Sequence, residues 1–246
     1  MLRRSLVLLF GALSYAVFFF TFLYQIGFVE GMVVPKAMND GAVVPAARAV
    51  AIDLALLGLF AIQHTIMARL AFKRWWTGIV PEPIERSAFV LLASLLLLLM
   101  NWQWAPLPGH VWSVQGSAGR TALYAVSFAG WGIVLYATFL IDHFDLFGLR
   151  QAWLCFKGRE YTAVEFKETA LYRWVRHPIM LGFIIAFWAT PDMTRGHLLF
   201  AAVTTAYILV GIRVEERTLA ALHGQDYERY RRRVSMIVPM PPKAAR

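Results

Sequence analysis

Two groups of charged residues in the last third of the chain are of the types that bind a charged ligand or move a proton. Arg176, His177 and Pro178 precede a short apolar stretch, and a second apolar stretch ends in Glu215 and Glu216. Histidine exchanges protons near neutral pH, while arginine and glutamate bind the charged and hydroxyl groups of ligands. Placing charged side chains beside apolar residues near a membrane costs free energy, so such residues usually have a functional role. Together they predict a polar ligand bound at this place.

Two further polar groups lie at the ends of other apolar stretches. Gln63 and His64 end one, and Asp142, His143 and Asp145 end another. A neutral imidazole can take a proton from a weakly acidic substrate, and a carboxylate can hold the ring in one tautomer. His143 with Asp145, or else His64, is therefore predicted to be the catalytic base. The alternatives are a packed, hydrogen-bonded His64 and an ordinary helix end at 142–145. We expect the polar groups of all these stretches to meet in one pocket.

The composition indicates an integral membrane protein. Of the 246 residues, 59% are hydrophobic and 16% are charged, and the mean hydropathy is +0.56. The net charge of +9 comes from basic residues that flank apolar stretches, which is typical of contact with anionic lipid rather than nucleic acid. The single cysteine, Cys155, excludes an intrachain disulfide and a cysteine metal cluster, and no metal is expected.

The apolar stretches predict an all-α, polytopic membrane helix bundle with five to six transmembrane helices. Long spans are predicted at 5–29, 48–72, 87–105 and 121–146, and a C-terminal hairpin of shorter helices at 178–190 and 196–214. An amphipathic tail helix is expected at 216–234. We interpret residues 1–246 as one membrane-embedded domain, in which 1–146 hold the acceptor pocket and 172–239 form a cofactor-binding module.

The distribution of basic residues predicts which side of the membrane each end occupies. With six crossings, all but four of the 24 lysines and arginines fall on one side, the exceptions being Lys36, Arg48, Arg120 and Arg195. Because basic segments stay in the cytoplasm, both termini and the predicted pocket are expected there. Five crossings would place the basic tail outside, which favours an even number.

Residues 172–239 resemble the cofactor module of the isoprenylcysteine carboxyl methyltransferases, which phospholipid methyltransferases and sterol reductases share. The likeness rests on Arg176-His177-Pro178 with Gly182, on Glu215-Glu216, and on a tail with Gly224, Tyr227 and Tyr230. Met180 replaces a tyrosine that is common in this module. The resemblance implies a nucleotide-type cofactor held at a membrane.

Other stretches resemble the bacterial methanethiol S-methyltransferases, which are close to the NnrU-like proteins. These stretches are 63–76, 80–87 and 142–151. The resemblance implies S-adenosylmethionine as methyl donor, a small thiol as acceptor and, for methanethiol, dimethyl sulfide as product. It also implies the inner membrane of a bacterium as location, with lipid and the thiol as partners. The alternatives are an NADPH-dependent reductase of the sterol type and a non-catalytic NnrU-like protein.

The chemistry of that donor suggests a role for each residue of the module. Its ribose hydroxyls need a carboxylate, either Glu215 or Glu216. These two lie about 100° apart on a helix, so the other one is expected to pair with Arg176 or Arg213. The donor carboxylate would be bound by Arg176 and by the helix that starts at Pro178. The expected adenine-lining residues are Tyr172, Leu181, Tyr227 and Tyr230, and Gly182 would allow a ligand or a neighbouring helix to come close.

Overall fold

The computed structural model describes residues 1–164 and 168–241, and within them every side chain except that of His223. In chain order the elements are α1 (Leu2–Glu30), α2 (Ala46–Met67), α3 (Leu70–Trp76), α4 (Glu82–Gln103), β1 (His110–Ser113), α5 (Ser117–Ile141), α6 (His143–Leu146), α7 (Leu149–Lys157), a 3-10 turn (Ala170–Arg173), α8 (Pro178–Trp188), β2 (Asp192–Thr194) and α9 (Arg195–Arg233). Within the described residues, five helices are long and apolar enough to cross a membrane, namely α1, α2, α4, α5 and the 195–222 part of α9. The predicted all-α membrane bundle is confirmed.

Two of the predicted spans end earlier than expected. Helix α2 ends at Met67, and α3 then starts separately at Leu70, with Arg69 in an extended conformation between them. Helix α5 ends at Ile141, because the side chain of Asp142 caps the new short helix α6. Both breaks fall at polar residues. The length of an apolar run does not show where such a residue ends the helix.

The last helix differs most from the prediction. We expected a span that ends near 214 and a separate tail helix at 216–234, but α9 continues through Glu215 and Glu216 to Arg233. Its one break is at Gly224, which has φ 54° and ψ −127°. Because this conformation strains any residue with a Cβ, the glycine marks where the span gives way to the tail. Glu215 and Glu216 therefore lie inside a continuous helix and not at its end.

The described residues form two compact units, and the first comprises 1–109 and 142–164. Within it, α1 and α4 run parallel, since Gly11 packs beside Ser87 and the Phe28 ring lies 6.1 Å from that of Trp104. Helix α7 packs against α1 at the same glycine, where a Cβ would lie 2.6 Å from that of Ala152. This close approach fixes the start of α7 beside the start of α4.

The second unit comprises 110–141 and 168–241, and its centre is an antiparallel pair of α5 and α8. Ser127 in the first half of α5 donates a 2.9 Å hydrogen bond to the carbonyl of Ala186 near the end of α8, so the start of α5 and the end of α8 lie on the same side. Strands β1 and β2 pair antiparallel next to these ends. Helix α8 therefore returns the chain to the end of α5 at which β1 lies. The single domain predicted for 1–246, with its boundary near 146, stays a prediction.

Candidate active site

The segment that carries His143 is fixed at both of its ends. The Asp142 carboxylate accepts a 3.0 Å hydrogen bond from the amide of Asp145. Gly148 has a φ of 87°, and a Cβ there would lie 2.6 Å from the amide nitrogen of Ser87. Only glycine fits so close to another backbone in this conformation. His143 is therefore presented from a rigid turn at the start of α4.

The His143 imidazole is buried among aromatic rings. It is 2% exposed, and its Nε2 lies 2.8 Å from the hydroxyl of Tyr15. The rings of Phe144 and Phe147 have their centres 5.3 and 4.9 Å from it. Burial lowers the pKa of His143, and the charge of Asp142 acts in the opposite direction. The imidazole is thus neutral at ordinary pH and can accept a proton.

The Asp145 carboxylate does not have the partner that we expected. Among the described residues it accepts hydrogen bonds from Arg150 Nη1 (2.8 Å) and from the hydroxyl of Tyr161 (3.3 Å). Arg150 also donates to the hydroxyl and the carbonyl oxygen of Thr162, each at 2.8 Å. Asp145 therefore links α6 to α7 and to the segment that follows α7. We had expected the Asp145 carboxylate to contact the His143 imidazole, and the hydroxyl of Tyr15 makes that contact.

His64 lies in an aromatic environment in the same unit. Its ring is 5.3 Å from that of Phe60 and 5.0 Å from that of Phe89, and its buried Nδ1 has no hydrogen-bond partner among the described residues. Phe89 belongs to a buried cluster against which Phe147, a neighbour of His143, also packs. Both candidate bases therefore border one aromatic cluster.

In the second unit, Arg176 is held by three oxygens of the protein. Its Nε donates to Oε1 of Glu216 at 2.8 Å, and its Nη1 donates to the carbonyls of Arg231 (2.9 Å) and Val234. The side chains of Arg176 and Glu216 are only 10% and 11% exposed. The prediction that one of the two glutamates pairs with Arg176 is confirmed, and the arginine also closes the end of α9. Its binding of a donor carboxylate stays a prediction.

His177 separates the two glutamates by environment. Its Nε2 lies 3.1 Å from Oε1 of Glu216, and its Nδ1 lies 3.6 Å from Oε2 of Glu215. The Glu215 side chain is 50% exposed, whereas that of His177 is 5% exposed. Glu216 is thus a buried structural partner, and Glu215 presents a carboxylate that a ligand can reach.

The three candidate tyrosines are not equivalent. Tyr227 and Tyr230 are 1% and 2% exposed and pack together with Val234. The Tyr230 hydroxyl donates a 2.7 Å hydrogen bond to the carbonyl of Tyr172, whose own ring is half-buried. Burial raises the pKa of all three, and the charge of Glu215 adds to the effect at Tyr172. Tyr227 and Tyr230 support the turn that carries Tyr172, and Tyr172 keeps an accessible face.

The residues at the start of α8 have local roles. Pro178 occupies the first turn, where a missing amide hydrogen costs nothing, and the amide of Leu181 donates to the carbonyl of His177 at 3.0 Å. Gly182 faces a neighbouring helix, since a Cβ there would lie 2.7 Å from the carbonyl oxygen of Gly130 and 2.8 Å from Cγ2 of Val134. Of the two possibilities that we considered for Gly182, the close approach of a helix is the one observed.

Within each of the two units, the predicted site residues lie close to one another. His143 and His64 border one aromatic cluster, and His177 lies between Glu215 and Glu216. The single pocket that we expected for all of them includes residues of both units and stays a prediction. Sequence reasoning missed Tyr15, which is one aromatic among many in an apolar span and lies 128 residues from its partner.

Comparisons with known proteins place these two clusters in a family context. The chain is 54% identical to a methanethiol S-methyltransferase of Mycobacterium tuberculosis over 240 residues, which is 98% of each chain. It is 55% identical to methanethiol S-methyltransferase 1 of Bradyrhizobium diazoefficiens over 96% of its own length and 83% of that protein. Nurim of Danio rerio is a more distant relative, 25% identical over 77% of this chain and 70% of its own.

No family model and no solved structure matches the chain. The likeness to the methyltransferases nevertheless extends over both units, including the segment around His143 and the module that starts at Tyr172. With identities of 44% to 55% over nearly the whole chain, it belongs to the methanethiol S-methyltransferase family.

Proposed function

We propose that this protein transfers a methyl group from S-adenosylmethionine to methanethiol and so produces dimethyl sulfide. The observation that carries the proposal is the likeness over nearly the full chain to relatives that bear this name. Methyl transfer is an in-line displacement that demands positioning of donor and acceptor and little covalent help. The acceptor must react as its thiolate, because a thiol is a poor nucleophile.

His143 is the base that we propose for forming the thiolate. An alkyl thiol is mostly protonated at neutral pH, so its ionisation needs a proton acceptor. The lowered pKa of His143 keeps the imidazole neutral until the thiol arrives, and the nearby charge of Asp142 favours the imidazolium that proton transfer creates. Asp145 acts indirectly, by holding Arg150 and the turn in place.

The module from Tyr172 to Tyr230 is proposed to bind the donor, which supplies an electrophilic methyl group on a positively charged sulfur. The half-exposed carboxylate of Glu215 suits the ribose hydroxyls better than the buried Glu216 does. The half-buried side chains of Tyr172 and Leu181 are of the type that flanks an adenine. Arg176 positions Glu216 and, through it, His177.

The site is further proposed to face the cytoplasm from the inner membrane of a bacterium. The support is the positive-inside rule, since the connections that carry His143 and His177 are rich in lysine and arginine. A cytoplasmic site would receive a water-soluble donor directly, whereas a small apolar thiol can arrive through the lipid.

Headspace chromatography tests the reaction. Membranes that contain the protein should form dimethyl sulfide when given methanethiol and S-adenosylmethionine, and no product should form without the donor. His143→Gln should lower turnover by about 100-fold or more, the usual size of general-base catalysis, while the affinity for S-adenosylhomocysteine stays the same. A thermal shift with NADPH and none with S-adenosylhomocysteine would instead assign the module to a reductase.

A further inference from the structure

Tyr15 is the more exposed of the two residues in the hydrogen-bonded pair that it forms with His143. His143 is 2% exposed, whereas Tyr15 is half-buried on α1 and its hydroxyl is 2.8 Å from Nε2. The phenol is therefore more accessible than the imidazole to a thiol that approaches from outside the first unit. This order of burial matters because a base must come within hydrogen-bond reach of the proton that it removes.

The surroundings of Tyr15 suit a small apolar acceptor. Its ring is stacked against Phe19 at 6.4 Å and lies 5.9 Å from that of Phe144. Phe19 and Phe144 are 41% and 47% exposed on the apolar outer surface, where lipid would cover them. The hydroxyl is thus a polar group among aromatic side chains, two of which lie at the apolar outer surface where a small apolar thiol dissolved in lipid can approach.

We propose that Tyr15 is a catalytic residue that relays the thiol proton to His143, an inference that rests on the proposed function. In the resting state the Tyr15 O–H donates to Nε2, so the ring proton of the neutral imidazole is on Nδ1. When the thiol binds, its S–H bond breaks and the proton bonds to the phenol oxygen. The original O–H bond of Tyr15 breaks at the same time, and its proton bonds to Nε2.

The relay leaves a thiolate, a neutral phenol and an imidazolium, so protons and charge balance. The thiolate sulfur then bonds to the methyl carbon while the bond from that carbon to the donor's sulfonium sulfur breaks, so that S-adenosylhomocysteine leaves, and the imidazolium later releases its proton to water. The nearby carboxylate of Asp142 stabilises the imidazolium during this interval. Tyr15 therefore matters most for a weakly acidic thiol and least for one that ionises easily, and this difference can be tested.

The test compares two thiols with the same skeleton and different acidity, ethanethiol and 2,2,2-trifluoroethanethiol. The fluorinated thiol is the stronger acid, so it loses its proton at the site with much less help from a base. We expect Tyr15→Phe to slow methylation of ethanethiol by about 100-fold, a typical loss for a proton-transfer group, and that of the fluorinated thiol by less than about tenfold. Each rate is compared with the wild-type rate for the same thiol, so differences in size cancel.

Tyr24→Phe is the matched control, because it removes a hydroxyl from the same helix that donates to the carbonyl of Lys36. It should leave both rates unchanged. In a second measurement, Tyr15→Phe combined with His143→Gln should be no slower than His143→Gln alone, since both residues serve one step. Equal losses for the two thiols, no loss for either, or additive effects in the double variant would overturn the relay. A wild-type protein that methylates no thiol would overturn the proposed function itself.

Discussion

The contact between Gly130 of α5 and Gly182 of α8 gives a prediction that does not depend on the reaction. A Cβ at Gly130 would lie 2.7 Å from the amide nitrogen of Ala186 and 2.7 Å from the carbonyl oxygen of Gly182. Both are backbone atoms of α8 and cannot rotate away. Gly130→Ala must therefore push the two helices apart by roughly 1 Å to reach a normal van der Waals separation.

The cost can be worked out from the contacts that this separation loosens. Overpacking against a rigid neighbour costs about 1–3 kcal/mol. The hydrogen bond from Ser127 to Ala186 contributes about 1 kcal/mol, and the contacts of the Trp131 ring with Phe183 and Phe187 contribute about 0.5–1.5 kcal/mol each. Alanine recovers at most about 1 kcal/mol in helix propensity. Complete loss of these contacts would cost about 2–6 kcal/mol, and because the separation loosens them without removing them, we expect a net loss of roughly 2–4 kcal/mol.

Gly132→Ala is the matched control, two residues further along the same helix. A Cβ at Gly132 meets nothing within 4 Å among the described residues. Thermal unfolding in detergent, followed by tryptophan fluorescence, should show a Tm lower by roughly 5–15 °C for Gly130→Ala and an unchanged or slightly higher Tm for Gly132→Ala. If Gly130→Ala melts as high as Gly132→Ala, the two helices are not packed through their glycines.

Three further predictions concern the candidate site and its orientation. Glu216→Gln breaks a buried ion pair, a change that costs about 3–5 kcal/mol, and should therefore lower the Tm. Glu215→Gln should leave the Tm unchanged and should weaken the affinity for the methyl donor by roughly 10- to 100-fold, as measured by calorimetry. A deeper loss of stability for Glu215→Gln would reverse these roles. With His143 as base, turnover should be level at and above pH 6.5, the ordinary histidine pKa, and should decline only at a lower pH, because burial lowers the pKa of the imidazole. In His143→Gln the residual rate should instead rise about tenfold per pH unit with the thiolate fraction, and a level profile there would exclude His143 as base. Finally, a membrane-impermeant maleimide should label Cys155, the single cysteine, in inverted vesicles but not in intact spheroplasts. Cys155→Ser is the control for unspecific labelling. The opposite labelling pattern would place the site on the periplasmic side of the membrane.

The sequence predicted the helices well because long apolar runs leave few other structures possible in a membrane. It also predicted that one glutamate of the pair would bind Arg176 or Arg213, since two adjacent helical residues cannot face the same way, and Glu216 binds Arg176. Two features were harder to predict. The end of α5 before Asp142 depends on a single capping side chain, and the continuation of α9 past Glu216 is broken only where the backbone changes at Gly224.

The partner of His143 could not have been predicted from spacing. Asp145 is two residues away in the chain and is the chemically obvious choice, but Arg150 and Tyr161 bind its carboxylate. Tyr15 becomes a neighbour only because α1 packs on the segment that follows α5 in the chain. Such a contact carries no local pattern, so only the folded structure reveals it.

The shortness of α8 has a consequence for the lipid around the second unit. Its 11 residues give a helix of roughly 16 Å, about half the thickness of a bilayer's hydrocarbon layer. Residues 189–191 then lead directly into β2, which pairs with β1. A membrane of long acyl chains would have to thin locally to match this part of the protein, at a cost in elastic energy. The stability of this part of the protein is therefore expected to depend on the chain length of the surrounding phospholipids.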